Sequence, residues 1–158
     1  MDKNFKKPYP SLLRETLYNI DRLFTLYAKS VGLNFITMLI LQLLYDSQDV
    51  YTQKAVCEKL ALPKQLVNSV IKSFWEQNFV ELKEAKDRRN KDIILTSKGK
   101  EYARSVLKPL EDAESAAWES FSKEELTAFT ETMEKYAKAF EIALGKQLIH
   151  KNLLKNSL

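Results

Sequence analysis

The stretch Phe79–Gly99, FVELKEAKDRRNKDIILTSKG, carries the strand-like pattern of this sequence. Residues 79–82 supply one arm and residues 93–95 the other, because β-branched and aromatic side chains suit a half-buried pleated surface. Between the arms, residues 86–91 read KDRRNK, with four cations, one acid and an Asn that can take the turn. The sequence therefore predicts a β-hairpin whose basic tip suits a phosphate-lined groove.

Two short helical patterns precede this hairpin. Two residues separate Thr52–Leu60 from Pro63–Gln77, and this is the spacing of a helix-turn-helix, whose second helix lies in the major groove of DNA. Thr52 is a good N-cap for the first of these helices. Val50 and Tyr51 could add a third short strand to the hairpin. Helix, turn, helix and hairpin in this order predict a winged helix.

The second helix of the motif has an apolar stripe and an opposite polar face. The stripe comprises Leu66, Val67, Val70, Ile71 and Phe74. On the polar face, Asn and Gln can bond adenine bidentately, and Lys can reach guanine or a phosphate. Any amphipathic helix shows such a face to water, but the basic hairpin beside it favours DNA binding. The candidate DNA-contacting residues are Lys64, Gln65, Asn68, Ser69 and Lys72 on the helix, and Lys86, Asp87, Arg88, Arg89 and Lys91 on the hairpin.

The composition places the chain among single-domain, mainly helical proteins. Its 158 residues are 45% hydrophobic and include three Gly and four Pro, which leaves little room for loops. One cysteine excludes a disulfide within the chain and favours a reducing cytosol. We expect no signal peptide, and no apolar run approaches the roughly 20 residues of a membrane helix. We therefore expect a soluble, cytoplasmic protein.

The net charge of +4 is unevenly distributed. Residues 50–95 hold nine Lys or Arg against six Asp or Glu, whereas residues 96–158 hold ten of each. Most of the excess lies in the predicted helix-turn-helix and hairpin, as suits a protein that displaces counterions from phosphates. A solvated surface can carry the same excess, so the charge alone does not decide the function.

Helical patterns flank this central part on both sides. Residues 9–32 carry apolar side chains at three- and four-residue steps. Asn34–Tyr45 is apolar on nearly all sides and is predicted to be the buried centre. After the hairpin, Thr96 or Ser97 caps a long helix, in which a bend or break is expected at Pro109 because proline cannot donate to the preceding turn.

The last helix has a clear start and an open end. Ser122 and Glu125 form a capping box, in which each side chain accepts from the other residue's backbone N–H. Gly145 could end this helix, or the apolar residues 148–154 could resume it. The first and last helices both show more apolar surface than one 158-residue monomer needs to cover, which indicates a subunit partner.

Two short motifs at the hairpin identify a family. Asp87-Arg88-Arg89 lies at the tip, and Leu95-Thr96-Ser97-Lys98-Gly99 follows it. There the chain resembles the MarR (multiple antibiotic resistance regulator) transcription factors, whose wing carries Asp-x-Arg and whose next helix opens with Leu-Thr-x-x-Gly. The resemblance runs without a gap from Thr52 to Gly99. Asn78 replaces the usual Gly and can enter the left-handed backbone region. Pro63-Lys64-Gln65 replaces the usual Ser or Thr.

The resemblance implies a fold and a function. The fold is mainly α with a small antiparallel β-hairpin wing, and N- and C-terminal dimerisation helices flank a winged helix-turn-helix core. One MarR-like domain spans 1–158, with the DNA-binding part at 33–99 and helical dimerisation parts at 9–32 and 100–150. The implied function is a homodimeric, sequence-specific bacterial transcriptional regulator. It would be a repressor that binds a pseudo-palindromic operator in double-stranded DNA and is relieved by a small aromatic or phenolic effector.

The resemblance also assigns roles to residues. Arg89 matches the family's wing arginine, which enters the minor groove, and Asp87 can hold its guanidinium. An effector pocket is expected where the dimer helices meet the DNA-reading core. Its aromatic candidates, each equally explained by core packing, are Tyr18, Tyr27, Phe35 and Trp118. The dimerisation candidates are Leu13, Leu17, Ile20, Leu126, Phe129, Met133 and Tyr136.

The sequence shows no pattern of a catalytic or metal site. His150 has no neighbouring Cys or second His, and neither a Gly-rich phosphate loop nor a Gly-x-Ser-x-Gly elbow is present. We expect no enzyme, metal or cofactor, and we expect Cys57 to be a packed thiol rather than an oxidant sensor. The alternative function is a winged-helix protein-protein interaction module, which has no physical need for adjacent arginines on an exposed tip. The sequence does not determine the operator or the role of the basic C-terminal tail. It also does not decide between a repressor and an activator.

Overall fold

The computed structural model describes the backbone of residues 8–47, 50–84 and 91–155, and the side chains of residues 10–147 within these ranges. Over the described residues the chain is mostly helical, with one small antiparallel sheet, as predicted. The elements are α1 Pro8–Ser30, α2 Phe35–Asp46, β1 Tyr51–Thr52, α3 Gln53–Leu60, α4 Lys64–Glu76, β2 Val80–Glu84, β3 Lys91–Leu95, α5 Ser97–Trp118 and α6 Lys123–Lys155. Their contacts divide the chain into two compact units, residues 1–110 and 111–158.

The sheet of the first unit has the strand order β1-β3-β2, with both pairings antiparallel. In β2 and β3, Val80 lies opposite Leu95 and Leu82 opposite Ile93. Val80, Ile93 and Leu95 are buried, so one face of the hairpin joins the core. The third strand is confirmed one residue further along than the predicted pair, because Tyr51 pairs with Ile93 and Thr52 with Asp92.

The core of the first unit is built around α2. Met38, Ile40 and Leu41 of this helix are each at most 1% exposed, because an apolar helix without a polar face is most stable when other elements surround it. Asn34 is the N-cap of this helix, because its side chain accepts from the backbone N–H of Thr37 at 2.8 Å. Buried residues of α3, α4, the sheet and the first half of α5 complete the cluster.

Helix α5 does not break at Pro109. The helix runs without interruption from Ser97 to Trp118 with Pro109 inside it, so of the expected bend or break the break is wrong. Val106, Leu107 and Leu110 are buried on both sides of the proline. Their packing outweighs the backbone hydrogen bond that proline cannot donate.

The second unit contains the end of α5 and all of α6. The predicted capping box is present: the Ser122 N–H donates to Glu125 Oε2 at 2.8 Å, and the Glu125 N–H donates to Ser122 Oγ at 3.2 Å. These bonds to Ser122 lower the pKa of Glu125. Gly145 does not end α6, which continues to Lys155. The Trp118 ring packs against Phe121 and Phe129, with ring centroids 5.8 and 6.1 Å away.

Across the described residues, no single helix is both long and apolar enough to cross a membrane. Residues 10–30 and 35–46 meet that test of length and composition only when taken together, and the two helices are bent by 87° relative to one another.

Candidate nucleic-acid interface

The turn between α3 and α4 uses a left-handed residue. Thr52 caps α3, with its Oγ1 accepting from the Ala55 N–H at 3.2 Å. At the other end, Ala61 has φ 51° and ψ 39°, and its N–H donates to Cys57 O. The Leu62 N–H donates to the same oxygen at 3.0 Å. The turn between α3 and α4 thus takes three residues, 61–63.

Helix α4 presents the predicted polar face to solvent. The five candidate residues on this helix are all exposed: Lys64, Gln65, Asn68, Ser69 and Lys72. Val67, Val70, Ile71 and Phe74 form the buried stripe as expected. Leu66 does not belong to that stripe, because it is 38% exposed. At 100° per residue it lies about 80° from Phe74, at the edge of the buried stripe.

Two further residues of α4 lie on the exposed side and were not identified from the sequence. Trp75 is 54% exposed although it is apolar. Glu76 forms an ion pair with Lys72 across one helical turn, with Lys72 Nζ 3.7 Å from Glu76 Oε1. The i to i+4 spacing could have predicted this pair. The acid neutralises part of the basic face near the end of the helix.

The base of the wing is described, whereas its tip is not. Lys91 at the start of β3 is exposed and faces Glu84 in the strand register. On β2, Lys83 Nζ lies 3.4 Å from Glu81 Oε2. The predicted tip residues Lys86, Asp87, Arg88 and Arg89 lie outside the described residues. Six of the ten candidate DNA-contacting residues are therefore positioned, and all six are exposed.

The end of α4 is a Schellman motif, the helix ending in which a left-handed residue follows the C-cap. Asn78 takes φ 57°, as predicted for the residue that replaces Gly. Its N–H donates to Trp75 O at 2.9 Å, and the Phe79 N–H donates to Phe74 O at 2.8 Å. The Phe74 and Phe79 rings pack with centroids 6.4 Å apart. We call residues 77–79 the α4–β2 junction.

The first turn of α5 packs directly against this junction. Thr96, rather than Ser97, is the N-cap, because its Oγ1 accepts from the Gly99 N–H at 2.9 Å. The same hydroxyl donates to Asn78 O at 2.8 Å, and the Thr96 N–H donates to Phe79 O at 3.0 Å. A Cβ on Gly99 would lie 1.9 Å from Phe79 O. The Thr and Gly of the Leu-Thr-x-x-Gly motif are thus explained by their contacts with Asn78 and Phe79, about 20 residues earlier in the chain.

Lys98 adds a polar contact to the same place. Its Nζ donates to Gln77 O at 2.9 Å and lies 5.2 Å from the centroid of the Phe79 ring. Tyr102, one turn further along α5, stacks on Phe79 with ring centroids 4.3 Å apart and planes 9° apart. Burial raises the pKa of Tyr102. The end of α4 and the start of β2 are therefore fixed to α5 through side chains as well as backbone.

The aromatic candidates for an effector pocket have different environments. In the first unit, Tyr18 is 65% exposed, whereas Phe35 packs near Phe24 with ring centroids 6.3 Å apart. The Tyr27 hydroxyl donates to Val106 O at 2.6 Å, and burial raises the pKa of this phenol. Trp118 belongs to the second unit and packs against rings of that unit. Two clefts of the first unit, of about 440 and 260 Å³, are lined by other side chains.

The dimerisation candidates leave apolar surface exposed in both units. Leu17 and Ile20 of α1 are exposed, as are Phe129 and Tyr136 of α6. Leu13, Leu126 and Met133 are half-buried. Further large apolar side chains that are exposed are Leu12, Leu23 and Leu26 on α1 and Phe140, Ile142 and Leu144 on α6.

Among the described residues, no group of three or more His, Cys, Asp or Glu is arranged to hold a metal ion. The side chain of His150 lies outside the described side chains. Cys57 is half-buried beside the buried Val56 on α3.

One family model matches part of this sequence, and several solved structures are similar to this chain. The model of the MarR family matches residues 31–90. A MarR family regulator from Neisseria meningitidis is 25% identical, covers 89% of this chain and 99% of its own, and superposes with a TM-score of 0.76. The MepR–DNA complex of Staphylococcus aureus is 18% identical over 85% of this chain and 99% of its own, with a TM-score of 0.68.

A third similar structure also contains DNA. It is a putative MarR family transcriptional regulator from Listeria monocytogenes complexed with a 26mer DNA, and it is 17% identical over 84% of this chain and 88% of its own, with a TM-score of 0.66. No curated protein matches the sequence. The fold predicted from the hairpin and its flanking helices is confirmed.

Proposed function

We propose that this chain, a MarR-family winged-helix protein, is a sequence-specific DNA-binding transcriptional regulator that works in the cytoplasm as a homodimer. The observation that carries the proposal is the polar face of α4, where Lys64, Asn68 and Lys72 are exposed while the opposite stripe is buried. A helix of this kind, next to a hairpin with a basic tip, has the two elements with which a winged helix contacts a groove and its backbone.

The six positioned candidates divide by chemistry. Gln65, Asn68 and Ser69 can bond to base edges, whereas Lys64, Lys72 and Lys91 can reach phosphates or guanine. Arg88 and Arg89, which the sequence predicts at the wing tip, would add further positive charge. Two structures of the same fold, MepR and the Listeria regulator, were determined with DNA. They support DNA as the partner, since both share the fold of this chain, with TM-scores of 0.68 and 0.66.

We propose that residues 33–99 form the DNA-binding part and that residues 9–32 and 100–150 are the dimerisation parts of one MarR-like domain. The exposed apolar side chains of α1 and α6 support this division, because such surface is unfavourable in water without a partner. The dimer would use Leu13, Leu17, Ile20, Leu126, Phe129, Met133 and Tyr136. Light scattering at micromolar concentration should give twice the chain mass of 18.4 kDa. A clean monomer mass contradicts the dimer.

We further propose repression that a small aromatic or phenolic effector relieves. Tyr18, Tyr27, Phe35 and Trp118 remain the candidate contacts. Tyr27 is the least available of them, because its hydroxyl already donates to Val106 O. A compound that prefers one conformation must change the melting temperature or the affinity for DNA. Salicylate-like compounds that change neither would exclude them as effectors.

The decisive experiment is selection of bound sequences from a random duplex pool, followed by titration of the selected operator. Asn68→Ala should relax the preference at one base position and cost roughly 1–3 kcal/mol. Lys72→Ala should weaken operator and scrambled duplexes alike and reduce the salt slope by about one. Lys29→Ala, an exposed lysine on α1, is the matched control and should change neither. A pool that yields no preferred sequence favours the interaction module instead.

A further inference from the structure

We propose that Lys98 is a positioning residue for DNA binding, because its ammonium group fixes the end of the recognition helix α4 to the first turn of α5. This inference rests on the proposed function and adds a residue to it. Lys98 was not among the candidates identified from the sequence. It contacts the α4–β2 junction at two points, the Gln77 carbonyl at 2.9 Å and the Phe79 ring at 5.2 Å from its centroid.

The Gln77 carbonyl is a suitable partner for a cation. Gln77 is the C-cap of α4, where the carbonyls of a helix lack intrahelical donors and carry the negative end of the helix dipole. The Schellman bonds use the carbonyls of Phe74 and Trp75, and the carbonyl of Gln77 is left for Lys98. A charge-assisted bond at this position restrains the direction in which α4 ends.

Some contacts around Lys98 are needed for the α4–β2 junction to fold, and others only restrain the position of the end of α4. Thr96 and Gly99 meet the backbone of Asn78 and Phe79, so changing either of them disturbs folding. Lys98 is exposed and touches the junction only through its side chain. Its removal therefore leaves the fold intact and relaxes one restraint on the helix end. This makes Lys98 the residue of the first turn whose role in positioning can be tested separately.

The recognition helix needs such a restraint because its other end has little. Pro63 at the N-cap of α4 makes no side-chain capping bond, and the preceding turn passes through the left-handed Ala61. The orientation of the exposed face of α4 is thus set mainly by its buried stripe and by the junction. Base readout requires accurate placement of side chains, whereas diffuse attraction to phosphates does not. Loss of Lys98 should affect specific binding more than nonspecific binding.

The test compares three variants in the full-length protein. Lys98→Met keeps the apolar stem and removes the charged donor, and Lys98→Arg restores a donor and a cation. Lys100→Met removes the same charge two residues further along α5, where the side chain is exposed and lines a cleft with residues of α2 and β3. Each variant is titrated against the selected operator and a scrambled duplex of equal length over a range of salt concentrations.

We expect Lys98→Met to weaken operator binding roughly five- to tenfold, as for loss of one charge-assisted hydrogen bond at an exposed site. Binding to the scrambled duplex and the salt slope should stay within error of the wild type. Lys98→Arg should recover most of the loss, and Lys100→Met should leave the ratio of the two affinities unchanged. Equal weakening on both duplexes with a salt slope lower by about one would overturn the proposal in favour of a direct phosphate contact.

A second readout follows the helix end without DNA. Trp75 lies in the last turn of α4, and in a Trp118→Phe background it is the sole tryptophan. Lys98→Met should change its emission or its quenching by acrylamide, and Lys100→Met should not. Unchanged Trp75 fluorescence together with unchanged operator affinity refutes the role of Lys98 alone. A wild-type protein without any operator preference refutes the proposed function, and the proposed role of Lys98 falls with it. Circular dichroism on each variant verifies folding, and Lys98→Gln replaces Lys98→Met if that variant is unfolded.

Discussion

Replacing Gly99 by alanine should destabilise the protein even though alanine is the better helix former. The added Cβ would lie 1.9 Å from the oxygen, 2.8 Å from the carbon and 3.1 Å from the Cα of Phe79. All three are backbone atoms, and the nearest is short of normal contact by roughly 1.5 Å. Phe79 cannot retreat freely, because its N–H donates to Phe74 O and its carbonyl accepts from the Thr96 N–H.

The loss of stability can be estimated from the contacts that the added methyl group would disturb. Overpacking of this kind costs about 1–3 kcal/mol. Moving α5 away stretches two hydrogen bonds, from the Thr96 N–H to Phe79 O and from the Thr96 hydroxyl to Asn78 O, each worth about 1 kcal/mol. The gain in helix propensity returns at most about 1 kcal/mol. We expect a net loss of about 2–4 kcal/mol, which corresponds to a melting temperature lower by roughly 5–15 °C for a chain of this size.

Gly145→Ala is the matched control. A Cβ at Gly145 meets no atom within 4 Å, and the residue lies inside α6. The same substitution should therefore stabilise the protein by about 0.5–1 kcal/mol. The two variants are compared by urea unfolding at one fixed protein concentration, because the stability of a dimer depends on concentration. A Gly99→Ala protein as stable as the wild type would falsify the close contact between α5 and Phe79.

Three further predictions concern the turn, the core and the wing. Ala61→Gly relieves the left-handed backbone of an alanine with φ 51° and should raise the free energy of unfolding in urea by about 0.5–1 kcal/mol, after the larger entropy loss of glycine; an unchanged or lower midpoint contradicts this. Tyr27→Phe removes the bond to Val106 O and should cost about 1 kcal/mol near pH 8. Because burial raises the pKa of Tyr27, the folded state holds the phenol proton more tightly than the unfolded state. The stability that this gives is complete below pH 10 and is lost as the pH rises through the raised pKa. In urea unfolding between pH 8 and 11, the wild type should therefore lose this part of its stability with rising pH, and Tyr27→Phe should not. In the wing, Arg89→Ala should weaken operator binding by roughly 1–3 kcal/mol, and Asp87→Ala should weaken it too if Asp87 holds Arg89; tighter binding by Asp87→Ala in titrations at fixed salt refutes that role.

The caps of this fold could be predicted from sequence because they depend on residues three positions apart. Thr52 and the Ser122–Glu125 box make the hydrogen bonds expected of them, and Asn78 takes the left-handed conformation that the motif requires. The choice of Thr96 over Ser97 as the N-cap of α5 was not predictable. This choice depends on the Asn78 carbonyl, which accepts a hydrogen bond from the Thr96 hydroxyl. Asn78 lies 18 residues earlier in the chain.

Where the structure departs from the sequence predictions, or decides between two of them, a single residue had been given too much weight. Pro109 lies between buried side chains of α5, and Gly145 lies in a helix of 33 residues. The cost of glycine in a helix interior is about 1 kcal/mol, too little to end a helix with good formers on both sides. Leu66 was placed on the buried stripe of α4 because it is apolar, although its angular position is at the edge of that stripe and it is 38% exposed. Tertiary packing and helix geometry decided all three cases.

In this winged helix, different parts of α4 determine which bases are preferred and how the helix is oriented. Residues that can read bases lie exposed in the first half of α4, at Gln65, Asn68 and Ser69, and the N-cap Pro63 makes no side-chain hydrogen bond there. The last turn of α4 enters the Schellman motif, and α5 fixes that motif through Thr96 and Lys98. Substitutions in the first half can therefore change the preferred operator at little cost in stability. Substitutions at the α4–β2 junction should change stability and affinity while the preferred operator stays the same.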